Sequence, residues 1–205
     1  MPMPNIHPGS RPDRLLDRRY QFTIDKVALI FDRLDTAYGR VSDQYGFVCS
    51  GCEDNCCRSL FYHHTLAEYA YLYAGFNALP DKVRWAVIVK AQQACNEQGH
   101  SSKGPKRVFC PLNNKDRCLV YQHRPMICRL HGISHELHYP GKPVQLGPGC
   151  DAFAALSSKQ PYIPFDRTPF YKEMAALEKE LRQATGIKGK FRLTVAEMIV
   201  AFTAE

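Results

Sequence analysis

The sequence predicts a mainly α protein, a small helical scaffold from which irregular cysteine-bearing loops project. Three observations predict it: apolar residues recur at helical spacing in several segments, paired capping residues precede those segments, and the stretches between them are short, polar and cut by Gly and Pro. With 205 residues and 45% hydrophobic content, the chain is long enough to bury one sizeable core without cross-links. A single domain over 21–205 is expected, preceded by a flexible segment over 1–20 that carries Pro2, Pro4, Pro8 and Gly9.

The elements follow in order. Val27, Ile30, Phe31, Leu34, Tyr38 and Val41 mark a long amphipathic helix, with Thr23 placed to cap it and Gly46 closing it. Residues 49–57 are too polar and too short for a regular element, and Gly51 permits a tight turn there. Thr65 and Glu68 form a capping box ahead of Leu66, Tyr69, Tyr73 and Phe76. Pro80 opens a further helix with Val83, Val87, Ala91 and Ala94 on one face. Gly99 to Lys106 reads as a loop, and from Val108 to Tyr139 the apolar runs are broken by Pro111, Pro125 and Gly132, so regular structure is expected to be sparse. Pro169 starts a helix bearing Phe170, Met174, Leu177 and Leu181 that ends at Gly186. Thr194 with Glu197 caps a last helix carrying Met198, Ile199 and Phe202.

Composition narrows the function. The first ten residues hold no apolar leader core, and no window approaches the roughly 18 uninterrupted apolar residues of a membrane span. A soluble, cytoplasmic protein with no membrane partner is expected. The net charge of +7 is spread along the chain and interleaved with Asp and Glu, so it reads as a solvated basic surface and not as a nucleic-acid interface.

Cysteine is the unusual residue. The nine are grouped, which buried small hydrophobes would not be, and in a reducing cytosol grouped thiols become candidate metal ligands instead of disulfides. Cys49, Cys52, Cys56 and Cys57 form a C-x2-C-x3-C-C loop; Cys110, Cys118, Cys128 and Cys150 are spread downstream. A C-x2-C turn lets two thiolates converge on one ion. Adjacent Cys56 and Cys57 are harder to aim at one small ion, because neighbouring side chains of an extended backbone diverge, so they serve different metal atoms or one has another role. Eight thiolates make two sets of four, which favours a polynuclear or two-metal arrangement.

These residues resemble the YkgJ-like CxxCxxxCC cysteine-cluster family, described as zinc- or iron-chelating. The resemblance rests on Cys49, Cys52, Cys56 and Cys57, then Cys110-Pro111-Leu112, Cys118 to Tyr121, Arg124-Pro125 and Cys128-Arg129, and covers about half the chain, from Cys49 to Cys150. It implies that Cys49, Cys52, Cys56, Cys57, Cys110, Cys118, Cys128 and Cys150 are the ligand set. Cys95 matches nothing and reads as a small buried hydrophobe. Where many relatives carry another cysteine, this sequence runs Cys128-Arg-Leu-His131, which makes His131 the best histidine candidate; His63, His64, His135 and His138 read as surface or supporting groups. Arg58, Arg117, Arg124 and Arg129 lie beside ligand cysteines, where guanidinium groups offset the negative charge of a thiolate site.

Thiolate coordination suits zinc, iron, an iron–sulfur cluster or copper(I), and not magnesium or calcium. The expected function is metal binding in redox transfer, metal handling or cofactor maturation. The alternative is a metal-dependent group-transfer enzyme, because the resembling family takes in flagellin lysine N-methylase. Radical enzymes that use S-adenosylmethionine place cysteines as C-x3-C-x2-C, unlike this loop, so their mechanism is not carried over. A nucleic-acid-binding zinc module would need its second cysteine pair roughly 12 to 20 residues after the first, whereas about fifty separate Cys57 from Cys110.

Overall fold

The computed structural model describes residues 18–49, 55–99 and 108–203. Of the loop expected over Gly99 to Lys106 only Gly99 is described, as the last residue of a helix, and the rest of it and most of the N-terminal segment lie outside these residues. Among them are seven α-helices and two small antiparallel ladders, so the fold is mainly α.

Helix α1 (Arg18–Tyr45) begins earlier than its pattern suggests. Thr23 is an interior residue of that helix, 4% exposed, and does not cap it. Tyr20 and Ile24 are buried with Val27, Ile30, Phe31 and Leu34, so packing extends the helix past the local stop signal. Helix α2 (Leu66–Asn77) is buried on nearly every side, as its almost unbroken apolar sequence demands. It contacts α1, α6 (Thr168–Thr185), α7 (Val195–Phe202) and a 3-10 turn (Tyr121–His123), while α3 (Asp81–Gly99) packs on α7 and α1 on α6. Gly75 of α2 permits this, because a Cβ there would strike the His123 side chain.

Only half of the first capping box forms. Thr65 accepts the Glu68 amide, but the Glu68 carboxylate does not return to the Thr65 amide; it receives the Thr65 hydroxyl at 2.7 Å and the Met126 amide at 2.8 Å. The α2 N-terminus gains a second acid from α6, since Glu178 accepts the Ala67 amide at 3.0 Å and Arg182 Nε at 2.5 Å. The box of Thr194 and Glu197 is complete, and Gly186 closes α6 in the left-handed conformation. Pro169 is the second residue of α6, behind Thr168.

Between α3 and α6 the chain forms β1 (Asn113–Asn114) and β2 (Arg117–Cys118), then α4 (Met126–Leu130), β3 (His135–Leu137), β4 (Gln145–Gly147) and α5 (Asp151–Ser157). The β1–β2 hairpin turns on Lys115 and Asp116, both at positive φ (49° and 63°), the conformation of a two-residue primed turn. A Lys-Asp pair gives no glycine signal for such a turn.

Candidate metal centre

The cysteine-bearing loops are held by backbone and side-chain bonds that reverse the chain at each ligand position. Asn55 organises the first. Its side-chain oxygen accepts the Cys57 amide at 2.9 Å, and its carbonyl accepts the amides of Arg58 and Ser59 at 3.0 and 3.1 Å. A side chain that bonds the backbone two residues on mimics a turn, and this one presents Cys56 and Cys57 together. The Cys57 carbonyl then accepts the Cys110 amide at 2.7 Å, which joins the first cysteine loop to the second segment.

From Cys110 the chain folds back through the hairpin. Asn113 donates its amide to the Cys110 carbonyl at 2.9 Å and pairs with Cys118 across the ladder. Cys128 sits on α4, whose first amide is held by Glu68. Arg129, 5% exposed, ties the same segment to α1: its Nε donates to the Arg124 carbonyl at 2.9 Å, one terminal nitrogen pairs with Asp35, the other donates to the Gln122 carbonyl, and its guanidinium lies over Phe31. Arg129 is thus a structural clamp. Arg167 braces the far end of α4, donating to the carbonyls of Leu130 and Ile133.

The electrostatics place five of the eight sequence-predicted cysteines in one neighbourhood. Burial pushes the Cys110 thiol well up, and nearby Cys128, Cys57 and Cys118 push it further. Burial likewise raises Cys128, reinforced by Cys118 and Cys57, and raises Cys118, reinforced by Cys57. Cys56 is raised by its hydrogen bond to Cys57 and then by burial. Cys57, receiving that bond and a second from the Asn113 side chain, is lowered to about 6. The Arg124 guanidinium favours the thiolate form of Cys56, Cys57, Cys118 and Cys128, and it stacks 3.5 Å from the Tyr121 ring with its Nε buried and unpartnered. Arg58 stacks on Phe109, and Arg117 is exposed on the hairpin.

The remaining cysteines divide. Cys49 and Cys150 both neighbour the Tyr38 phenol, whose ionisation burial suppresses first and these two sulfurs next. Cys150 is buried as the N-cap of α5, its sulfur accepting the Phe153 amide at 3.4 Å, and Cys49 is exposed. Cys52 lies outside the described residues. Cys95, on α3, packs against the core and is pushed up to about 11 by burial. Among the described residues no group of three or more His, Cys, Asp or Glu side chains could hold a metal ion as it stands, and none of the described cysteines is in a disulfide.

Two cavities border the thiols. A small one, about 40 Å³, is lined by Cys56, Cys57, Cys110, Cys128 and His63 together with apolar neighbours. A larger cleft of about 870 Å³ carries Cys49, Cys118, Tyr38, Arg124 and His131 on its walls. The His131 ring meets Phe61 edge-on, and its carbonyl accepts the Tyr38 hydroxyl at 3.0 Å. His138 is bonded to Glu136 at 2.8 Å, and His64 is exposed. His63, expected as a surface or supporting group, is buried, and its backbone pairs with Leu193 in both directions. Asn55 and Asn113 had no place in the sequence reading, and Tyr38 entered it only as a residue of the first helix; an Asn immediately ahead of paired cysteines was the available signal for the first.

No protein-family model, curated protein or solved structure significantly matches this chain.

Proposed function

We propose that this protein binds a soft or borderline metal, zinc or iron, with an iron–sulfur cluster among the forms it can hold, and that it works in redox transfer, metal handling or cofactor maturation. The observation that carries the reading is that Cys56, Cys57, Cys110, Cys118 and Cys128, from three separate segments, lie near enough to influence one another's ionisation, with Arg124 beside four of them. Burial and neighbouring sulfurs make Cys110, Cys118 and Cys128 resist ionisation, and Cys56 resists it because it is bonded to Cys57, the one thiol of the five that is lowered. A cation reverses that balance, because it favours the charged form of every sulfur around it. The donor set fits zinc and iron by softness, and Arg124 offsets the negative charge left on a four-thiolate site. Cys49 and Cys150 supply a second group of sulfurs near Tyr38. In this reading the protein is a YkgJ-like cysteine-cluster protein of the reducing cytosol; no described helix is long and apolar enough to cross a membrane.

Comparing Cys128→Ser with Cys95→Ser tests this. Metal content after growth and purification without oxygen should fall sharply in the first and stay at the wild-type level in the second. Equal retention, or equal loss, contradicts the ligand assignment.

The large cleft favours a second reading, a metal-dependent group-transfer enzyme resembling lysine N-methylase, since about 870 Å³ is ample for a small-molecule cosubstrate beside the sulfurs. Anaerobic incubation of metal-loaded protein with S-adenosylmethionine and a lysine peptide checks it: methylated peptide supports the enzyme, and none by fully loaded protein contradicts it.

A further inference from the structure

A pocket of about 320 Å³ lies between residues 62–65, the start of α2, α4 and α6. Its volume falls within the roughly 300–1,000 Å³ of small-molecule sites, and the proposed metal binding makes no use of it. The walls carry two tyrosine rings, Tyr62 and Tyr171, the apolar side chains of Met126, Ile127 and Met174, and one acid, Glu68. Tyr171 is 38% exposed and Tyr62 half-buried, whereas Met126, Met174 and Glu68 are buried. The rings are thus open to a ligand from solvent, while the carboxylate is withdrawn from water.

Glu68 decides which ligand suits the pocket. Its oxygens accept the Thr65 hydroxyl at 2.7 Å and the Met126 amide at 2.8 Å, both neutral donors, and it has no ion-pair partner among the described residues. Glu178, by contrast, is paired with Arg182. A buried carboxylate held by neutral donors keeps a negative field that water screens little. Burial pushes the Glu68 pKa up, and a cation nearby favours the ionised form. Arg192 lies 3.5 Å from the centre of the Tyr62 ring, but it is exposed and is not on the pocket wall, so water weakens its repulsion of a second cation.

The same hydrogen bonds discriminate between kinds of cation. A primary ammonium brings three N–H donors that need acceptors, and the Glu68 oxygens are already engaged while Met126, Ile127 and Met174 offer no strong acceptor. A quaternary ammonium has no N–H to satisfy and presents methyl groups, which aromatic faces and thioethers accommodate. We infer that this pocket binds a quaternary ammonium group, seated against Tyr62 and Tyr171 with Glu68 supplying the opposing charge. The inference is independent of the proposed metal binding.

The test measures choline binding to the full chain by calorimetry against two controls: 3,3-dimethylbutan-1-ol, which has the same shape without the charge, and ethanolamine, which has the charge but carries N–H donors. Choline should bind at least about tenfold more tightly than either, and its methyl protons should show nuclear Overhauser contacts with the rings of Tyr62 and Tyr171. Glu68→Gln keeps an acceptor for the Met126 amide but removes the charge, so it should narrow the margin of choline over the alcohol. Equal affinity for the alcohol means that charge plays no part, and equal affinity for ethanolamine that alkylation plays none. Either result overturns the inference, as does wild-type protein that binds no choline or binds it away from these rings. The three ligands are compared on wild-type protein, so the result stands even if Glu68→Gln does not fold.

Discussion

Replacing Arg129 with Met tests whether one buried guanidinium holds the Cys128 segment against α1. The side chain is 2% exposed and serves three acceptors: the carbonyls of Arg124 and Gln122, and the Asp35 carboxylate at 2.5 Å. Met keeps much of the aliphatic volume over Phe31 but supplies no donor. The Arg124 carbonyl, left unpaired, costs roughly 1–3 kcal/mol, whereas the Gln122 carbonyl keeps the Tyr71 hydroxyl at 2.9 Å. Asp35 is 39% exposed and recovers water, so its share falls to about 0–1 kcal/mol. The guanidinium's interaction with Phe31 adds about 0.5–2 kcal/mol. A loss of roughly 2–5 kcal/mol follows. Asp35→Asn removes only the exposed end and should cost about 1 kcal/mol or less. Urea denaturation of the metal-free proteins, followed by far-UV circular dichroism, measures both. If Arg129→Met costs no more than Asp35→Asn, the two carbonyl bonds contribute nothing and the clamp reasoning fails.

Three further outcomes are expected. Gly132 has φ +131°, and a Cβ there would run into the Tyr38 hydroxyl, so Gly132→Ala should destabilise the fold by roughly 1–3 kcal/mol; an unchanged thermal midpoint contradicts this. The His63 pKa falls from 6.5 to about 4 on folding, so between those values the unfolded chain binds a proton that the folded chain refuses. Unfolding free energy of metal-free protein should therefore drop as pH falls through that window, by roughly 3 kcal/mol in all. Glu68, raised by burial, has the opposite sign, gaining stability as pH falls, but it is common to wild type and His63→Gln and cancels in their difference. Equal pH slopes for the two proteins contradict the prediction. In metal-free protein at pH 7, iodoacetamide should label Cys57, lowered to about 6, well before Cys95, raised to about 11; peptide mapping that shows the reverse order would undo the thiol assignment.

The helices were legible because their apolar spacing and caps are local signals. Pro80, Gly186 and the pair of Thr194 and Glu197 all mark boundaries that the structure keeps. Thr23 misled because a capping residue type is a weak signal against burial of Tyr20, one turn before it, and Ile24, the next residue. The β1–β2 hairpin was invisible because Lys115 and Asp116 adopt positive φ without a glycine to announce it. At the site, the grouping of the cysteines could be read, but not their division. The contiguous motif suggests one ligand loop, whereas Cys49 lies by Tyr38 and Cys150, and Cys56 and Cys57 turn inward at Asn55. The burial of His63 could not be read for a related reason: it accompanies pairing with Leu193, far along the chain, which local pattern does not encode.

Metal and acid-labile sulfide per chain, determined on protein purified without oxygen, tests the central claim most directly. The account predicts zinc or iron bound to the folded wild-type protein, with sulfide in proportion if a cluster is present, and loss of that metal in Cys128→Ser. Folded protein that carries neither metal and takes none up from solution would contradict it.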